Sequence, residues 1–131
     1  MIGLDTNVLV RYVMQDDPRQ SPRATRLIES LSPEEPGFVP LVTLVELVWV
    51  LSGSYSLARA QVAAVLETLL RSKELVVDRA ELATQALQRF SASSADFADA
   101  LIERIASAAG CTATMSFDTG AVKAASMTLV P

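Results

Sequence analysis

Short apolar runs alternate with segments of helical periodicity along the whole chain, and two of the runs stop at an aspartate. Residues 1–4 form one such run and end at Asp5, after which Thr6 reads as the N-cap of a helix over 8–14. Asp17-Pro18 signals a second helix, whose apolar positions Ala24, Leu27, Ile28 and Leu31 lie opposite Arg19, Arg23 and Arg26. Residues 37–40 suggest a brief strand, and 42–51 a buried helix stopped by Ser52 and Gly53. Ser56 caps a helix through 71, 75–77 is a strand, and Asp78 caps a helix to about 90. A helix over 95–109 stops at Gly110, a strand over 112–117 ends at Asp118, a short helix follows, and 128–130 closes as an edge strand.

Strands and helices in alternation predict the α/β class, with right-handed crossovers around a mostly parallel sheet. At 131 residues the chain has the length of one domain, 1–131. Ligands of such sheets sit beyond the carboxyl ends of the strands, so Asp5 and Asp118 are expected in one crevice.

Several chemistries are excluded by counting. The chain has no histidine, which removes histidine bases, Ser-His-Asp triads and His-ligated zinc. Its one cysteine, Cys111, allows no internal disulfide and sits in an apolar context expected to bury the thiol. The glycines form neither a GxGxxG nor a P-loop pattern. A formal net charge of -4 argues against coating nucleic acid by bulk positive charge. No apolar run reaches membrane-spanning length and no signal peptide opens the chain, so a cytoplasmic location with no membrane partner is expected. Carboxylates remain as the candidate reactive groups.

Glu46 lies in LVTLVELVWVL, which leaves it no broad polar face, so partial burial with a partner from another segment is expected. A structural ion pair is the alternative account. Asp96 and Asp99 stand at i, i+3, with Glu103 four residues further, and like charges at such spacings repel. A helix N-terminus explains Asp96 alone, but Asp99 less well. Acids from several separated segments are economically explained by a divalent cation, and all-oxygen ligation selects Mg²⁺ or Mn²⁺. With Asp5, Glu46, Asp96, Asp99 and Asp118 set aside, the remaining charges nearly balance, which suits a polyanionic substrate. Arg11 and Lys123, close in sequence to the two strand-end acids, are the candidate phosphate contacts.

MIGLDTNVLVRYV, LVTLVELVWVL, SADFADALIERIA and ATMSFDTGAVKAA together resemble the successive motifs of PIN-domain ribonucleases, most closely the VapC-type toxins of toxin-antitoxin pairs. The resemblance covers nearly the whole chain. It implies that Asp5, Glu46, Asp99 and Asp118 are the four metal-binding acids, with Asp96 an additional one. Thr6, Asn7 and Ser116 match supporting polar positions. Glu103 and Ser116 depart from the commoner alanine and threonine; Glu103 would either add a water-mediated metal contact or pair with Arg104. The resemblance further implies a three-layer α/β/α sandwich, RNA cleavage with Mg²⁺ or Mn²⁺, a homodimer, and a cognate antitoxin. The amphipathic stretches around 18–31 and 42–70 are candidate walls for that antitoxin.

The expected reaction is hydrolysis of an RNA phosphodiester by in-line attack of water, with one or two ions held by the acids and Glu46 or Asp96 orienting the water. An aspartate-based phosphatase of the haloacid-dehalogenase kind would need a second aspartate where Asn7 stands. A receiver-like phosphoacceptor would cluster its acids after the first strand, which DTN does not. A PIN-like module that binds RNA or protein without cutting is the non-enzymatic alternative.

Overall fold

The computed structural model describes residues 1–131, whose contacts divide into two compact units, Met1–Ala80 and Glu81–Pro131. The expected α/β class with parallel strands is found in each. No helix is long and apolar enough to cross a membrane.

The first unit contains β1 (Ile2–Gly3), α1 (Thr6–Met14), α2 (Gln20–Glu29), β2 (Gly37–Val39), α3 (Leu41–Trp49), α4 (Arg59–Arg71) and β3 (Leu75–Val77). Its strands pair in parallel in the order β1-β2-β3, with Ile2 opposite Gly37 and Phe38 opposite Val76. Parallel pairing requires each return to cross over through helices, which is what α1–α2 and α3–α4 provide. The amide of Leu4 donates to the Phe38 carbonyl at 2.8 Å, so Asp5 is the first residue released from the sheet edge. Buried Leu4, Leu9, Val39, Leu44, Leu47, Leu51, Val62 and Leu66 fill the core.

Gly37 is required by close packing. A Cβ there would stand 2.8 Å from Leu4 Cδ1 and 2.9 Å from Leu31 Cδ1, both ends of buried side chains. Gly37→Val is therefore expected to destabilise the chain by about 1–3 kcal/mol, read by chemical denaturation.

α3 is amphipathic in a way its sequence conceals. Thr43, Leu44, Leu47 and Val48 face inward, which turns Val42 (66% exposed), Glu46 and Trp49 (63% exposed) outward. Glu46 is thus exposed, contrary to the burial expected from its apolar neighbours; those neighbours are themselves partly solvent-facing. Ser52 and Gly53 do not stop the helix. It widens into a π-helical turn, Val50–Ser54, in which the Tyr55 amide donates to the Val50 carbonyl at 3.3 Å. Ser56 adopts a positive φ of 52° instead of capping α4, whose start is closed by Gln61 Oε1 accepting from the Ala58 amide at 2.9 Å. Asp78 lies beside α3, because β2 and β3 are neighbours: its Oδ2 accepts from the Leu41 amide at 3.4 Å.

The second unit carries α5 (Ala80–Ala92, which opens at the boundary), α6 (Phe97–Ala108), β4 (Met115–Ser116), α7 (Thr119–Ala124) and β5 (Thr128–Leu129). β4 and β5 pair in parallel around α7, a minimal crossover closed over buried Ala95, Ala121, Ala125 and Met127. Phe90 and Phe97 pack edge to face, with ring centroids 6.2 Å apart. α6 ends in a Schellman motif: Gly110 takes φ +95°, and the Cys111 amide donates to the Ala106 carbonyl at 3.0 Å. Past that turn Cys111 is exposed, and the expected buried thiol is not found.

Candidate metal centre

In the first unit the chain leaves β1 at Asp5, whose Oδ1 accepts from the Thr6 amide at 2.7 Å and caps α1. The cap expected at Thr6 is therefore one residue earlier, and Thr6 is the first residue of the helix. Its hydroxyl is spent elsewhere: buried Thr6 Oγ1 donates to Glu46 Oε1 at 2.9 Å. One turn before Glu46, Thr43 Oγ1 donates to the Leu4 carbonyl at 3.4 Å. Two hydroxyls thus fasten α3 to the turn that carries Asp5, and Glu46, although exposed, has a hydrogen-bond partner from a distant segment.

Asp5, Thr6, Asn7, Arg11, Glu46 and Tyr55 line one cleft of about 630 Å³. Asn7 is exposed in its wall. The π-helical turn delivers Tyr55, whose hydroxyl donates to Asp16 Oδ2 at 2.8 Å and accepts from Arg11 Nη1 at 3.4 Å. The Asp16 carboxylate holds the Tyr55 phenol above its ordinary pKa. Arg11 also pairs with Asp16 at 3.5 Å and donates from Nε to Gln20 at 2.8 Å, so its guanidinium is fixed in the cleft wall.

The second unit gathers the other acids. Asp96 caps α6, its Oδ2 accepting from the Asp99 amide at 3.2 Å. Asp118 caps α7, its Oδ1 accepting from the amides of Gly120 at 2.8 Å and Ala121 at 3.3 Å. Ser116 Oγ accepts from the Asp118 amide at 3.0 Å and shapes this turn. A Cβ on residue 120 would approach Asp118 Oδ1 to 3.1 Å, so glycine leaves room for that carboxylate. Asp99 is half-buried, and burial first, then the charges of Asp96 and Asp118, raise its pKa above the usual carboxylate range. Lys123 is exposed on α7 and forms no ion pair. Glu103 is paired with Arg104 through contacts of 2.6 and 2.9 Å, which lower its pKa and commit it to that partner.

The structure therefore brings Asp5, Thr6, Asn7, Arg11 and Glu46 together in one unit, and Asp96, Asp99, Ser116 and Asp118 in the other. In neither unit do three acidic, histidine or cysteine side chains gather closely enough to hold an ion. Asp5, Glu46, Asp96 and Asp118 share one habit: each gives one carboxylate oxygen to a protein donor and keeps the other. This arrangement suits monodentate oxygen ligation of a hard divalent cation, and a cation would offset both the burial of the Asp99 carboxylate and its repulsion by Asp96 and Asp118. Thr43, Tyr55 and Asp16 were not evident as parts of the site; the spacing of Thr43 three residues before Glu46 was the available signal.

No curated protein matches the chain. The family model described as the PIN domain matches residues 2–126, and the chain belongs to the PIN domain family, whose members are generally metal-dependent nucleases.

Proposed function

We propose that this PIN domain is an endoribonuclease using Mg²⁺ or Mn²⁺, and that it is the toxin of a VapC-type toxin-antitoxin pair. The observation that carries the nuclease reading is the set of carboxylates with one oxygen secured and one left over. Asp5 and Glu46 come from the first two sequence motifs, Asp96 and Asp118 from the last two. In this reading Asp5, Glu46, Asp99 and Asp118 are the metal-binding acids, as the likeness of the four motifs implies, with Asp96 assisting. A divalent ion held by these acids would supply an activated water and offset charge developing on the phosphate oxygens.

The side chains divide the remaining work. Thr6 holds Glu46 by Oε1, leaving Oε2 to accept a hydrogen bond from the attacking water. Ser116 and the amides of α7 fix Asp118 in orientation. Arg11, tethered by Gln20, Asp16 and Tyr55, would contact a phosphate, and Lys123 is a second candidate contact. The toxin assignment rests on the likeness of the four motifs to VapC-type proteins and carries with it a cytoplasmic location, a homodimer and a cognate antitoxin.

Purified protein incubated with single-stranded and structured RNAs is expected to cleave them with Mg²⁺ or Mn²⁺, and to stop in EDTA. Single-stranded DNA of the same sequence should survive. Binding of RNA without any product would favour the non-cutting module.

A further inference from the structure

A second groove adjoins the acidic cleft within the first unit. It lies between α1 and α2, encloses about 320 Å³, and shares Asn7 and Arg11 with the cleft. Its apolar surface comes from Val8, Ala24 and Leu27, and Arg23 stands on its wall. No carboxylate lines it. Asp16 is engaged by Arg11 and Tyr55, and Asp17 turns Oδ1 to the amides of Arg19 and Gln20. Arg23 is exposed and makes no ion pair, while Arg11 spends Nε and Nη1 on protein partners and keeps Nη2.

We propose that this groove is a nucleotide subsite for the residue next to the cleaved bond, on the ribonuclease reading above. Its phosphate is held by Arg23 and Arg11, and its base rests on Val8, Ala24 and Leu27. Three observations favour a nucleotide over a polypeptide segment. The groove shares Asn7 and Arg11 with the cleft of Asp5 and Glu46, so a strand bound at one lies within reach of the other. Its only charges are two guanidiniums, which match phosphate in fork geometry. Its apolar lining is limited to three side chains, Val8, Ala24 and Leu27, fewer than an amphipathic helix would need to bury its face. Arg23 is thus a binding residue whose contribution depends on substrate length. A substrate too short to reach the groove gains nothing from it.

The test compares the unaltered protein, Arg23→Ala and Arg26→Ala on single-stranded oligoribonucleotides of increasing length, starting at a dinucleotide. Arg26 supplies a control charge on the same helix outside the groove. The unaltered protein and Arg26→Ala should gain in kcat/KM once the substrate reaches the groove, and Arg23→Ala should lose about tenfold of that gain, through KM. In EDTA, the affinity of a labelled oligoribonucleotide should depend less steeply on salt in Arg23→Ala, the logarithmic slope falling by about 0.7 for one lost phosphate contact. An Arg23→Ala protein with the full length gain and an unchanged slope overturns the subsite while leaving the nuclease standing. Loss of affinity for a polypeptide partner with RNA behaviour unchanged also overturns it and gives the groove to that partner. Failure of the unaltered protein to cut any RNA overturns the ribonuclease reading itself, and the subsite with it.

Discussion

Asp5→Asn is expected to fold as the unaltered chain does and to lose metal-dependent cleavage by on the order of a thousandfold or more. The separation of the two effects follows from how Asp5 is used. Its Oδ1 caps α1 through the Thr6 amide at 2.7 Å, and an asparagine oxygen caps a helix equally well. What the substitution removes is the negative charge and the ligating character of the second oxygen. Glu46→Gln should behave alike, because Oε1 still receives the Thr6 hydroxyl. Thr6→Val makes the contrast. It preserves both acids and removes only the 2.9 Å bond that aims Glu46, so a loss of about 10–100-fold is expected, appearing as weaker apparent affinity for the metal. Kinetics over a Mg²⁺ titration, with circular dichroism confirming the fold, measure all three. Full activity in folded Asp5→Asn would remove Asp5 from the site.

The parts of the site legible in the sequence were those fixed by local chemistry. An apolar run that stops at Asp-Thr, and another that stops at Asp-Thr-Gly, announce a strand end and a helix cap together, and Asp5 and Asp118 stand at such junctions. Asp99 was legible because three acids on one helical stripe need a reason; its raised pKa comes from burial first and then from Asp96 and Asp118, while Glu103 is taken up by Arg104. The orientation of α3 was not legible. When Val42 and Trp49 are both apolar, composition cannot tell the inward arc from the outward one; that is decided by which residues meet the rest of the fold. The π-helical turn was hidden for a similar reason. Ser52-Gly53 reads as a stop, yet the turn carries on to Tyr55, whose role depends on Asp16 and Arg11, far away in sequence. Cys111 misled because its apolar neighbours lie along the chain and not around it in space.

Asp99→Asn should abolish cleavage and yet raise the melting temperature of the metal-free protein at neutral pH. Burial and the charges of Asp96 and Asp118 lift the folded-state pKa of Asp99 above its ordinary 3.8. A raised pKa means that the folded state binds the proton more tightly than the unfolded chain. The stabilisation from that proton is fully present below 3.8 and is lost as the pH rises through the higher folded value. At neutral pH the unaltered protein therefore folds against a charge that asparagine does not carry. The gap between the two melting curves in EDTA should be widest at neutral pH and close as the pH falls through the raised value towards 3.8. Added Mg²⁺ or Mn²⁺ should stabilise the unaltered protein more than the variant, because binding to the folded state adds stability that rises with the logarithm of ion concentration over Kd. The two responses distinguish a crowded ligand from an ordinary structural acid. An Asp99 that merely supported α6 would destabilise the protein on substitution at every pH and leave the response to metal unchanged.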